Sequence, residues 1–103
     1  MPTRLQLGAH EIKVIRKENL IEHSEAYGLF DPDSLTIYID KRLEDSSLAW
    51  EVFFHEVTEM LNHFSEADMD HKTIQVWGVW LHQIIMSADF SPEPQQCISE
   101  LCE

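Results

Sequence analysis

The segment of this chain best equipped for chemistry is His55-Glu56-Val57-Thr58-Glu59, set in an apolar run with Val52-Phe53-Phe54 before it and Met60-Leu61 after it. On a helix, a histidine and a carboxylate four residues apart share one face, roughly 6 Å apart along the axis, so both can reach a single cation. Glu56 is offset from them by about 100° in the helical projection, which lets it touch a water held by that cation without being a ligand. This is the arrangement of the zinc-binding motif His-Glu-x-x-His, with Glu59 in place of the second histidine.

A zinc ion that does chemistry usually takes three protein ligands and leaves a position open. Nearby candidates for the third are His63, Glu66, Asp68, Asp70 and His71. His63 shares the face but lies roughly 12 Å from His55 along a straight helix, too far for one ion. His71 is better placed: it follows an acidic turn and opens a second apolar-periodic segment that must fold back on the first. A connection of six residues can span up to roughly 20 Å, ample for that return. The set His55, Glu59, His71 holds two imidazoles and one carboxylate, which suits Zn2+ first and also Fe2+ or Mn2+. Glu56 is then the expected general base, taking a proton from a water that the ion activates for attack on a peptide carbonyl. The chain has no Gly-x-Ser-x-Gly segment and no cysteine before Cys97 to act as a rival nucleophile. His10, His23 and His82 are expected to be solvated or hydrogen-bonded rather than ligating.

The elements that would hold these groups can be read from periodicity. In His10–Lys17, Ile12 and Val14 alternate with charged residues, as in a strand with one wet face. Glu18–Glu25 is charged and fits a loop or a short helical turn. Asp31-Pro32-Asp33-Ser34 is a turn joining Ala26–Phe30 to Leu35–Asp40: Pro fixes φ while Asp and Ser bond the local backbone. Ser46 or Ser47 is an N-cap for a helix over about 47–64, and Asp70 for a second over about 71–88, in which Ile74, Trp77, Gly78, Leu81, Ile84 and Ile85 form a wide apolar stripe. Trp50, Trp77 and Trp80 are expected in the core and between helices. Ser91-Pro92-Glu93-Pro94 stops the second helix, leaving 91–103 as a flexible tail and 1–90 as one α+β domain, a small twisted sheet on two main helices.

Composition bounds the rest. With 103 residues, 44% of them hydrophobic and three tryptophans, the chain suffices for one core without disulfides. Nineteen acidic residues against seven basic ones give a formal charge of −12, which argues against direct contact with nucleic acid. No apolar stretch nears the roughly 20 residues of a membrane span, and the N-terminus carries no apolar signal core, so a cytoplasmic location is expected. Cys97 and Cys102 are expected to be reduced and incidental, with oxidative dimer formation the rarer alternative.

Tyr27-Gly28-Leu29, Asp31, Thr36-Ile37-Tyr38-Ile39-Asp40, Phe54 to Asn62, Asp70 to Gln75 and Leu81-His82-Gln83 together resemble a small phage and prophage protein family, itself similar to ImmA/IrrE-type zinc metallopeptidases in minimal form. The resemblance spans roughly residues 10–88. It implies that His55, Glu59 and His71 are metal ligands and that Glu56 is the base. It also implies a zincin-like antiparallel sheet on the active-site helix, with Thr36, Ile37, Tyr38 and Ile39 bordering the substrate. The substrate so implied is a protein or peptide, such as a regulatory protein of the bacterial host cell or its phage. The alternative is a non-enzymatic acidic protein that binds and inhibits a host factor. That reading predicts that Glu56→Gln keeps the biological effect while charge reversal on the acidic face abolishes it.

Overall fold

The computed structural model describes residues 1–89. The expected tail, 91–103, with Cys97 and Cys102, lies outside the described residues. Four strands run β1 (Arg4–Leu7), β2 (His10–Lys17), β3 (Gly28–Asp31) and β4 (Thr36–Asp40), and they form one sheet in the order β1-β2-β4-β3. Helix α1 (Leu20–Ser24) and a 3-10 turn (Lys41–Leu43) flank the sheet, and α2 (Ser47–Ser65) and α3 (His71–Ser87) follow. The fold is α+β, with two main helices where periodicity placed them.

β2 alternates as its sequence does. Ile12 and Val14 turn inward to join Ile37, Ile39, Phe53 and Met60 in the buried core, while Glu11, Lys13 and Ile15 face out. Gly8, at φ 59°, supplies the positive φ that a two-residue hairpin turn requires, and this turn pairs β1 antiparallel with β2. The β3–β4 turn closes as its residue types predict. The Asp31 carboxylate accepts the Asp33 N–H at 3.0 Å and the Ser34 hydroxyl at 2.9 Å.

Two features depart from the sequence reading. The sheet is mixed rather than antiparallel throughout, because β2 pairs with β4 in parallel, Val14 beside Ile37. A strand's alternation reports which face is wet, not the direction of its neighbour. Here the chain leaves β2 through α1 and returns by the β3–β4 hairpin, which brings β4 in parallel to β2. Trp77 and Trp80, expected in the core, are 51% and 55% exposed. α2 packs on β3 and β4, and α3 packs on α2, so a large part of α3 meets solvent. Trp50 does pack beside the core, edge-on to Phe53.

Asp40 is the knot between sheet and helices. Its carboxylate, 0% exposed, accepts the Ile21 N–H and the Arg42 N–H, each at 2.9 Å, and so fixes the start of α1 and the 3-10 turn to the end of β4. Those two backbone donors, helped by the charges of Arg42 and Arg16, hold its pKa below the ordinary aspartate value. A carboxyl depressed in the folded state stabilises the fold above its unfolded pKa, and that contribution is lost as pH falls through the lower folded value. Asp40→Ala is therefore expected to lower the melting temperature clearly at neutral pH. The gap to wild type should shrink as pH is taken below the ordinary aspartate pKa, as read by thermal melts across that range.

Candidate metal centre

Two capped helix ends set the site. Ser46 caps α2 by accepting the Ala49 N–H at 3.1 Å, and Asp70 caps α3 by accepting the Thr73 N–H at 2.7 Å. Between the helices, Glu66 and Asp68 take left-handed φ, and the Asn62 side chain accepts the Met69 N–H at 2.9 Å, which fixes the turn that delivers His71. Further along, Gly78 lets the helices touch: a Cβ there would stand 2.9 Å from His55 Cα and 3.1 Å from His55 N. The crossing thus falls on the backbone of a candidate ligand residue, with His71 two turns up α3.

The three residues predicted as ligands come together. Glu59 Oε1 lies 3.6 Å from His55 Nε2 and 4.0 Å from His71 Nδ1, and the imidazole centroids are 5.4 Å apart. One ligand atom from each residue falls in a cluster within 4.8 Å, the one such group of three or more among the described residues. Tetrahedral zinc with ligands at about 2.0–2.1 Å spaces them roughly 3.3 Å apart, so small side-chain rotations suffice to close the set. The donor chemistry fits as well. Burial lowers the His55 pKa, against the pull of Glu59 and with the help of His71, which leaves a neutral imidazole with a lone pair to give.

Glu56 stands beside them, 8% exposed. Burial first, and the neighbouring Glu59 second, raise its pKa to about 7, while the Phe30 backbone N–H pulls it back. Its side chain lies against Gly28, where a Cβ would come within 3.0 Å of Glu56 Cγ and 2.5 Å of Val52 Cγ1. A cleft of about 380 Å³ opens over this group, lined by His55, Glu56 and His71 together with Tyr27, Leu48, Val52, Gln75 and Val79.

Three further histidines pack against aromatic rings. His63 is edge-on to Phe30 and Phe64, His10 stacks on Phe64, and His82 lies over Phe54. Thr36, Ile37, Tyr38 and Ile39, expected to border a substrate, belong to an interior strand whose backbone is paired on both sides. The edge strand beside the cleft is β3. Tyr27 C=O accepts the Asp40 N–H at 2.8 Å and Leu29 sits opposite Tyr38, so alternation turns the backbone groups of Gly28 and Phe30 away from β4. Gly28 and Gly78 went unremarked as site-shaping residues. A glycine inside an apolar helix stripe, which costs about 0.5–1 kcal/mol against alanine, was the available signal for the second.

No protein-family model matches the chain, and no curated protein or solved structure matches it either. Among the described residues, no helix is long and apolar enough to cross a membrane.

Proposed function

We propose that the protein is a minimal metal-dependent hydrolase of the metallopeptidase type, binding one zinc ion through His55, Glu59 and His71 and using Glu56 to move protons. One observation carries this reading: two imidazoles and a carboxylate converge beside a second, shielded carboxyl in an open cleft. Zinc held there supplies Lewis acidity toward water and toward a carbonyl oxygen, and iron or manganese suits the same donors. Glu56, with a pKa near neutrality, can take a proton and give it back at the pH of a cell. Leu48, Val52 and Val79 line the cleft with apolar groups that displace water from beside a bound substrate. The outward backbone of Gly28 and the outward carbonyl of Phe30, whose N–H is turned to Glu56, suit an extended peptide adding to the sheet edge. The substrate is accordingly a protein or peptide, such as a regulatory protein, and the setting a bacterial cytoplasm, with a phage or prophage origin.

Metal analysis of the purified chain tests the ligand set. About one equivalent is expected in wild type and in His63→Ala, and almost none in His55→Ala or His71→Ala. Undiminished metal in both ligand mutants would overturn the assignment.

A further inference from the structure

Helix α3 is apolar on more than one side and, among the described residues, packs chiefly on α2. Ile74 and Gly78 are buried toward α2, whereas Trp77, Trp80 and Ile84 stand in solvent, Ile84 at 60% exposure. The two indoles lie 6.4 Å apart, so the exposed groups form one patch rather than scattered residues. A helix that is apolar all round belongs to an interior, and a contiguous exposed patch marks a surface that something covers.

Two further observations identify the cover. Thr73, Trp77, Trp80, Ile84 and Ser87 recur at alternating steps of four and three residues, the spacing of a helix-to-helix seam. None of the nineteen acidic residues lies in 71–88, where Lys72 is the one Lys or Arg, although the chain carries −12. α2, by contrast, carries Glu51, Glu56 and Glu59. Two copies of so acidic a chain repel wherever carboxylates face each other, and α3 is the long helix on which they can meet without that juxtaposition. A membrane surface of anionic lipid would repel the same chain.

We propose that the outer face of α3 is a self-association surface, on which a second copy packs its own α3 antiparallel about a two-fold axis near Trp80. Such an isologous contact sets Trp77 of one copy against Ile84 of the other, and each seam covers its equivalent. The proposal does not depend on the metal centre.

Sedimentation equilibrium of the full chain tests it. The expected mass at a concentration of about 100 μM is twice the 12.1 kDa of the chain, falling to that of the monomer on dilution. Trp80→Glu should weaken the dimer by at least about tenfold with the circular dichroism unchanged, and Ile84→Lys serves as a second variant should the first unfold. Raising salt from about 0.05 to 0.5 M should tighten the dimer, because it screens the remaining repulsion. A wild-type monomer at every concentration overturns the proposal. If its tryptophans then resist a soluble quencher, the patch is covered by residues 90–103 of the same chain. A dimer indifferent to both variants, or one loosened by salt, also overturns it, and places the contact elsewhere.

Discussion

Glu56→Gln should leave the bound metal in place and lower peptide hydrolysis by about 10²–10⁴-fold, the usual worth of a positioned acid–base group. Glutamine keeps the size and polarity that fit against Gly28 but cannot accept a proton. Because Glu56 is not among the converging ligand atoms, metal content should stay near that of wild type, which separates this variant from His55→Ala and His71→Ala. A chain that worked by occupying a host factor would keep its effect with glutamine at this position. The same substitution has a second readout in chelator-stripped protein. In the fold Glu56 holds its proton to about pH 7, whereas a free glutamate loses it near 4.5. Between those values the unfolded state releases a proton that the folded state retains, so stability falls as pH rises across the window. At roughly 1.4 kcal/mol per pH unit the loss is of order 3 kcal/mol, and it should be absent in Glu56→Gln. Denaturant midpoints on either side of the window measure it. The slope is opposite in sign to that of Asp40, whose contribution disappears toward acid.

Gly78→Val should damage the fold and the metal site together. The first added carbon would stand 2.9 Å from His55 Cα, against backbone that cannot swing aside, so the helices must part or α3 must turn. Overpacking of this kind costs about 1–3 kcal/mol, and the two further methyl groups of valine push toward the upper end. The displacement is carried up α3 to His71, while Glu59 and His55 remain on α2. Metal affinity should therefore fall by at least about tenfold even at temperatures where the variant is folded. Calorimetric titration with zinc alongside thermal melts reads both effects. An affinity equal to wild type would show that the helix crossing does not set the ligand distances.

The parts of the fold that could be read in advance are those governed by local chemistry. Ile12 and Val14 announced β2 by alternation, Asp31 to Ser34 announced a turn by side-chain bonding, and Ser46 and Asp70 announced two helix starts. From the helix starts came the return of α3 and hence the meeting of His71 with His55 and Glu59. What was hidden depends on partners distant in sequence. Arg4–Leu7 is too short to show a period, and it is held by its pairing with β2. The parallel pairing of β2 with β4 and the interior place of Thr36 to Ile39 follow from the route of the chain. The exposure of Trp77 and Trp80 was hidden for another reason. Apolar periodicity says that a face avoids water, and only the placement of α3 chiefly on α2 says that about half of each of these indoles stays uncovered among residues 1–89.

The short span of the candidate metal centre has a mechanical consequence. Its three donors all lie within residues 55–71, on two helices joined by one turn, and the chain has no cysteine before Cys97 to fasten them otherwise. An ion bound there would act as a removable clasp on the helical hairpin. At a thousandfold excess over its dissociation constant it adds about 4 kcal/mol to the folded state. Filled and empty copies would then differ in lifetime as well as in chemistry, with the empty ones opening more often and falling first to proteolysis.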